Sequence, residues 1–241
     1  MAWDDPNQFF RPARPRRDPR PVMYMRAPGN RGPTFSGREL FDLTLAVLVF
    51  SLIFGSSSIK TGLLNSWQPS LILFLYIAAL LAVTLCILPH ELAHKFVARH
   101  YGYWAEFRRS NYGLMIGLVL AFIGIPIIAA PGAVMLDPYI DRSALGKSSA
   151  AGPASNAIIG FLFFPLALYT FVTGNLIGFV LTQNVVIVSG MLGIFNMIPI
   201  DPFDGAKIWR WSAAAYIGLV IILGALLVLA ELNVHFLGFS A

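Results

Sequence analysis

Six apolar runs fill the chain from residue 40 onward, at about 40–55, 71–94, 114–136, 150–173, 176–200 and 212–232. Each is near the ~20 residues that a helix needs to cross a bilayer. The breaks between them are short, among them TGN at 173–175 and DPFDGAKIWR at 201–210. In lipid, backbone N–H and C=O groups must be satisfied within the segment or by a neighbour, so such runs fold as packed helices. Only 12% of the residues are charged, against about a quarter in soluble domains. The expectation is an all-α polytopic membrane protein of the cell membrane, with one multi-pass domain over 39–241. The single cysteine, Cys86, excludes an internal disulfide. The first apolar run begins so late that no signal peptide is expected.

Residues 1–38 are of a different kind. RPARPRRDPRPVMYMRAPGNRGP is rich in Arg and Pro and has no apolar period, which predicts a disordered, solvated tail on the cytoplasmic side. Its charge also suits contact with anionic lipid. A nucleic-acid arm is the other reading of such a tail, but no specific nucleic-acid partner is expected.

The run at 114–136, LMIGLVLAFIGIPIIAAPGAVML, is broken by Gly124, Pro126, Pro131 and Gly132. It reads either as a sixth crossing or as a re-entrant hairpin of short strands, allowed at depth only where protein or water covers its backbone. Suppose the N-terminus is cytoplasmic and this run turns back. Then 16 of the 17 Lys and Arg residues fall inside, with only Lys60 outside. A full crossing would move Arg142, Lys147, Lys207 and Arg210 out. The positive-inside bias favours five crossings plus a small membrane-embedded hairpin.

At the end of the second apolar run stands HELAH, residues 90–94. On a helix, His90 and His94 lie on one face and can both reach one Zn²⁺. Glu91 sits beside them, placed for proton transfer from water. The plain alternative is the wet end of a helix with interfacial histidines. Ionisable groups at membrane depth are costly, however, and usually mark function. A catalytic zinc site normally takes three protein ligands. His100 is off the ligand face and His235 lies near the far end of the chain. The acidic candidates near apolar runs are Asp137, Asp141, Asp201 and Asp204. Of these, Asp201 and Asp204 lie in NMIPIDPFDG, where Pro199 and Pro202 must end the preceding helix.

The two motifs together resemble the site-2 protease family of intramembrane zinc metalloproteases. In that family an H-E-x-x-H helix pairs with a later N-x-x-P-x-x-P-x-D-G stretch, matched here by Asn196, Pro199, Pro202, Asp204 and Gly205. The resemblance makes Asp204, and not Asp201, the third ligand of one zinc per chain, and Glu91 the general base. A third family feature, G-P-x-x-N at a helix start, appears as GPASN at 152–156, which puts Asn156 in the active site to orient substrate or stabilise an oxyanion. PGAVML at 131–136 resembles the family's membrane-embedded strand. Pro131, Gly132, Ala133 and Val134 are thus candidate substrate-binding residues. The resemblance covers about 71–210. It departs at Ala93, where glycine is frequent, and at Pro89 directly before the first ligand, and it includes no PDZ-like insertion. It implies hydrolysis of peptide bonds in the transmembrane segments of membrane-anchored substrate proteins, near the cytoplasmic side. Two other classes compete: a non-catalytic zinc-binding scaffold and a small transporter.

Only the five-crossing arrangement brings the three motifs to one side of the membrane. With six crossings one metal could not bind both HELAH and DPFDG.

Overall fold

A computed structural model of the protein describes residues 34–65, 68–123 and 132–235. Its elements run α1 (Gly37–Asn65), α2 (Pro69–His100), β1 (Ala105–Arg109), α3 (Asn111–Phe122), β2 (Gly132–Leu136), α4 (Arg142–Val172), α5 (Leu176–Asn196), α6 (Asp204–Trp211) and α7 (Ala213–His235). Five of these, α1, α2, α4, α5 and α7, are long and apolar enough to cross a membrane. The all-α polytopic expectation holds. Most of the Arg/Pro tail lies outside the described residues.

Local chemistry sets where the helices begin and end. Pro69 opens α2 at a position where its missing N–H costs nothing. Asp141 caps α4 by accepting from Ser143 N at 2.9 Å and Ala144 N at 3.0 Å. The Ala144 amide and the Tyr103 hydroxyl hold the Asp141 carboxyl below the usual carboxylate range. Gly174, with φ +70°, makes the tight link from α4 to α5, and Asn175 caps the latter.

The helices pack through small and apolar residues. Phe50 and Ile53 of α1 meet Val83, Cys86 and Ile87 of α2 and Val185, Val188 and Leu192 of α5 in the largest cluster. Leu223 and Leu226 of α7 press against Gly193 and Gly160. Close approach at small residues is how helices associate where lipid supplies no hydrophobic drive.

The interrupted run at 114–136 does turn back, but not as two strands of its own. Its first part lies in α3, a 12-residue helix that Ser110 caps by accepting from Gly113 N at 3.0 Å. Twelve residues reach only about 18 Å, too short to cross. Its last part is β2. The partner strand β1 comes from the polar break AEFRR, where Ala105 and Phe107 point inward and the two arginines find an acidic partner, Asp42, on α1. The strands are antiparallel, with Phe107 opposite Val134 and Arg108 opposite Ala133. Gly132 is required there, because a Cβ would come 2.8 Å from Arg109 Cα.

Hydrogen bonds fix which edge each residue of the sheet faces. Asp137 N donates to Trp104 O at 3.0 Å across the pair. Three residues on, Phe107 N turns away from β2 and donates to Glu39 Oε1 at 2.9 Å. In an antiparallel pair, residues facing their partner alternate with residues facing outward. The backbone groups of Ala133 and Met135 therefore bond to β1, and those of Gly132, Val134 and Leu136 face the other edge. Among the described residues no strand pairs there.

One expected boundary differs. GPASN does not start a helix. It lies inside α4, which begins ten residues earlier at the Asp141 cap and carries Pro153 as an interior proline.

Candidate metal centre

His90 and His94 are one turn apart on α2, their ring centroids 4.7 Å from each other. Both are buried. The Phe203–Asp204 junction starts α6 and delivers Asp204 to the same point. Asp204 Oδ2 lies 3.6 Å from His90 Nε2 and 3.1 Å from His94 Nε2. One ligand atom from each residue fits within 4.8 Å of the others. The other acidic candidates are engaged elsewhere. Asp201 pairs with Arg210 at 2.5 Å on the surface, Asp137 closes a turn at Tyr139, and Asp141 caps α4. His100 ends α2 against the Tyr101 ring. The His235 side chain is outside the described residues.

The surroundings of the two imidazoles suit a metal. A carbonyl can only accept, so His94 Nδ1 donates to Ser148 O at 2.7 Å, leaving Nε2 with a free lone pair toward Asp204. The Ser148 hydroxyl donates back to His94 O at 2.8 Å. His90 Nδ1 lies 3.0 Å from the Asn156 amide. With the amide nitrogen turned to His90, the amide oxygen is left buried without a partner. With the oxygen turned to His90 instead, Nδ1 carries the proton and donates to it, and His90 Nε2 is free for a metal as well. Two imidazoles, one carboxylate and an open side form a donor set that fits zinc.

A cleft with a cavity volume of about 60 Å³ opens onto this point, several times the space one water needs. Glu91 faces it beside the ligands. Gly132, Ala133 and Val134 of β2 line the opposite wall. Pro131 lies outside the described residues. Asn156 is fully buried behind His90.

Sequence reasoning missed three contributors, Ser148, Ser149 and Lys207, and the packing role of Gly152. Ser148 and Gly152 hold the α4 side of the site, Ser149 places a buried hydroxyl on the cleft, and Lys207 Nζ lies 3.4 Å from Asp204 Oδ1. Lys207 had a readable signal, since i, i+3 from Asp204 on a helix is a neighbour. The two serines had none.

No protein-family model matches the chain, and no solved structure matches it. A Methanocaldococcus jannaschii protein named "Putative zinc metalloprotease" is 37% identical over 191 residues, 78% of this chain and 93% of that relative. The chain belongs to this zinc metalloprotease family. A second protein of the same organism, named "Zinc metalloprotease", is 32% identical over 121 residues, 50% of this chain but only 30% of its own length. With five membrane-length helices, the molecule is a membrane metalloprotease. The metalloprotease assembles its candidate centre from the C-terminal end of α2, the N-terminal part of α4 and the turn before α6.

Proposed function

We propose that this metalloprotease is an intramembrane endopeptidase of the site-2 protease kind, cutting transmembrane segments of membrane-anchored proteins. The observation that carries the reading is the His90–His94–Asp204 cluster on one wall of a cleft whose other wall is a strand edge that no strand among the described residues pairs.

His90, His94 and Asp204 would hold one zinc. The chemistry that bound zinc supplies is Lewis-acid polarisation of the scissile carbonyl and a lowering of the pKa of water to about 7. A Glu91 carboxylate oxygen takes the proton from the attacking water and passes it to the leaving amine. Asn156 acts on His90, fixing its ring and tautomer from behind. Lys207 occupies Asp204 Oδ1, so that Oδ2 is the oxygen presented to the metal.

A peptide bond in a membrane helix is shielded by its own hydrogen bonds. The outward amides and carbonyls of Gly132, Val134 and Leu136 offer an unwound segment replacement partners, as in other strand-addition modes. Backbone pairing of this kind tolerates many side chains. The cut falls near the cytoplasmic side, because the 16-of-17 charge bias supports a cytoplasmic N-terminus and hence a centre at the cytoplasmic ends of α2 and α5. The Arg-rich tail would lie against the anionic inner leaflet.

The test is zinc-dependent cleavage of membrane-embedded peptides by the purified protein in liposomes. Glu91→Gln keeps shape but cannot accept the proton, and should bind zinc and substrate while cleaving ~10²–10⁴-fold slower. A parent that binds zinc but cleaves no peptide of a broad panel would make the scaffold reading correct, and zinc flux across the vesicle would make it a transporter.

A further inference from the structure

Glu39 lies in the first turn of α1, beyond the motifs that carry the chemistry, and is only 1% exposed. Its two carboxylate oxygens have different partners. Oε2 pairs with Lys95 Nζ, and Lys95 directly follows the ligand His94. Oε1 accepts the Phe107 backbone N–H at 2.9 Å, and Phe107 stands opposite Val134 on the cleft wall. Lys95 is itself buried, with its ammonium 4.2 Å from the centroid of the Phe35 ring. One side chain thus touches both the helix that holds the histidines and the sheet that forms the opposite wall.

A buried ion pair is a poor explanation of itself. The desolvation cost of two charges often matches or exceeds their attraction, and an apolar pair of similar size commonly serves stability as well. What an apolar pair cannot do is accept the Phe107 N–H. That group points away from β2 and into protein, where an unmet donor is costly. The neighbouring contacts run the same way: Arg109 Nε lies 3.4 Å from Asp42 Oδ1, and the Ser36 hydroxyl donates to Glu106. Ser36 and the start of α1 thus hold β1 at its outward Phe107 N–H and at two of its side chains.

We infer that Glu39 is a positioning residue for proteolysis. It closes the β1 edge of the sheet to pairing and sets the distance between the β2 edge and the histidines, while Lys95 fixes Glu39 to the metal helix. The inference rests on the strand-pairing reading above. It adds that the working width of the cleft is determined from α1, outside both of its walls.

Two double variants separate anchoring from charge. Glu39→Gln with Lys95→Met removes both charges yet keeps an acceptor for Phe107 N–H. Glu39→Leu with Lys95→Met removes the acceptor as well. In liposomes, with zinc-loaded parent as positive control and Glu91→Gln as negative control, the first should cleave within about threefold of the parent. The second should keep its zinc but lose about 10²-fold in kcat/KM, the scale of a misplacement near 1 Å, with the loss carried by KM. Amide exchange over Ala105–Arg109 should be slow in the parent and the first variant and fast in the second. Equal cleavage and equal exchange in the two variants would overturn the inference. So would a first variant that keeps zinc but loses cleavage, a result that decides the matter even if the second variant does not fold. A parent that cleaves nothing would sink the protease reading, and the exchange comparison would still test the anchor.

Discussion

Gly152 of α4 sits so close to His94 of α2 that a single methyl group on its Cα would occupy the space of the imidazole, and would lie 2.8 Å from His90 Nε2 as well. Gly152 is therefore a packing device for the metal centre. Gly152→Ala should lose most of the bound zinc while the protein remains membrane-inserted and helical by circular dichroism. Parent-like zinc content in the purified variant would show that the two helices can separate at no cost to the site.

Asp204→Ala and His94→Ala should each lose most of the zinc, whereas Asp201→Ala should keep it, because Asp201 is engaged with Arg210 on the surface. Metal analysis of the three purified proteins decides this. Zinc retained by Asp204→Ala and lost by Asp201→Ala would reverse the ligand assignment.

The orientation of the β2 backbone separates two neighbouring prolines. Val134→Pro removes an amide that faces the open edge, while Met135→Pro removes one that bonds to β1. The first should abolish crosslinking of a substrate peptide to the cleft and leave zinc binding and the β1–β2 pairing intact. The second should disturb the sheet itself, read as faster amide exchange over Ala105–Arg109. Substrate capture undiminished by Val134→Pro would rule out pairing at that edge.

Side-specific labelling tests the sidedness of the site. Cys86 is buried and gives little background. Ser143→Cys, at the metal end of α4, should react only with reagent on the cytoplasmic face, and Thr173→Cys, at the other end of the same helix, only from outside. The reverse pattern would place the centre on the outer side of the membrane.

Much of this architecture was legible because lipid leaves a chain so few options. Runs of ~20 apolar residues gave the five long helices, and HELAH and DPFDG gave residues that do converge. Asp204 over Asp201 was a choice that helical spacing alone left open; the resemblance named it, and the turn after α5 brings it to the histidines. Strand β1 was hidden because AEFRR carries three charges in five residues and looks like a surface loop. Its two arginines are matched by Asp42, and its Phe107 N–H by Glu39, on a helix more than 60 residues away, which no local pattern reveals. The start of α4 was misread for a related reason: GPASN contains a proline that commonly opens helices, and the weaker signal of Asp141, eleven residues before Gly152, is what caps this one.

His94 and Asp204 are 110 positions apart in a chain of 241, and α4 and α5 must both be threaded through the bilayer before they can meet. During synthesis, therefore, the nascent chain holds a half-built and inert centre until Asp204 has left the ribosome. Because a preformed site rarely exists in an unassembled chain, metal uptake is coupled to completion of the fold. Zinc loading would thus double as an inspection step: a molecule with a missed or inverted crossing separates Asp204 from the histidines, and the three could no longer share one metal.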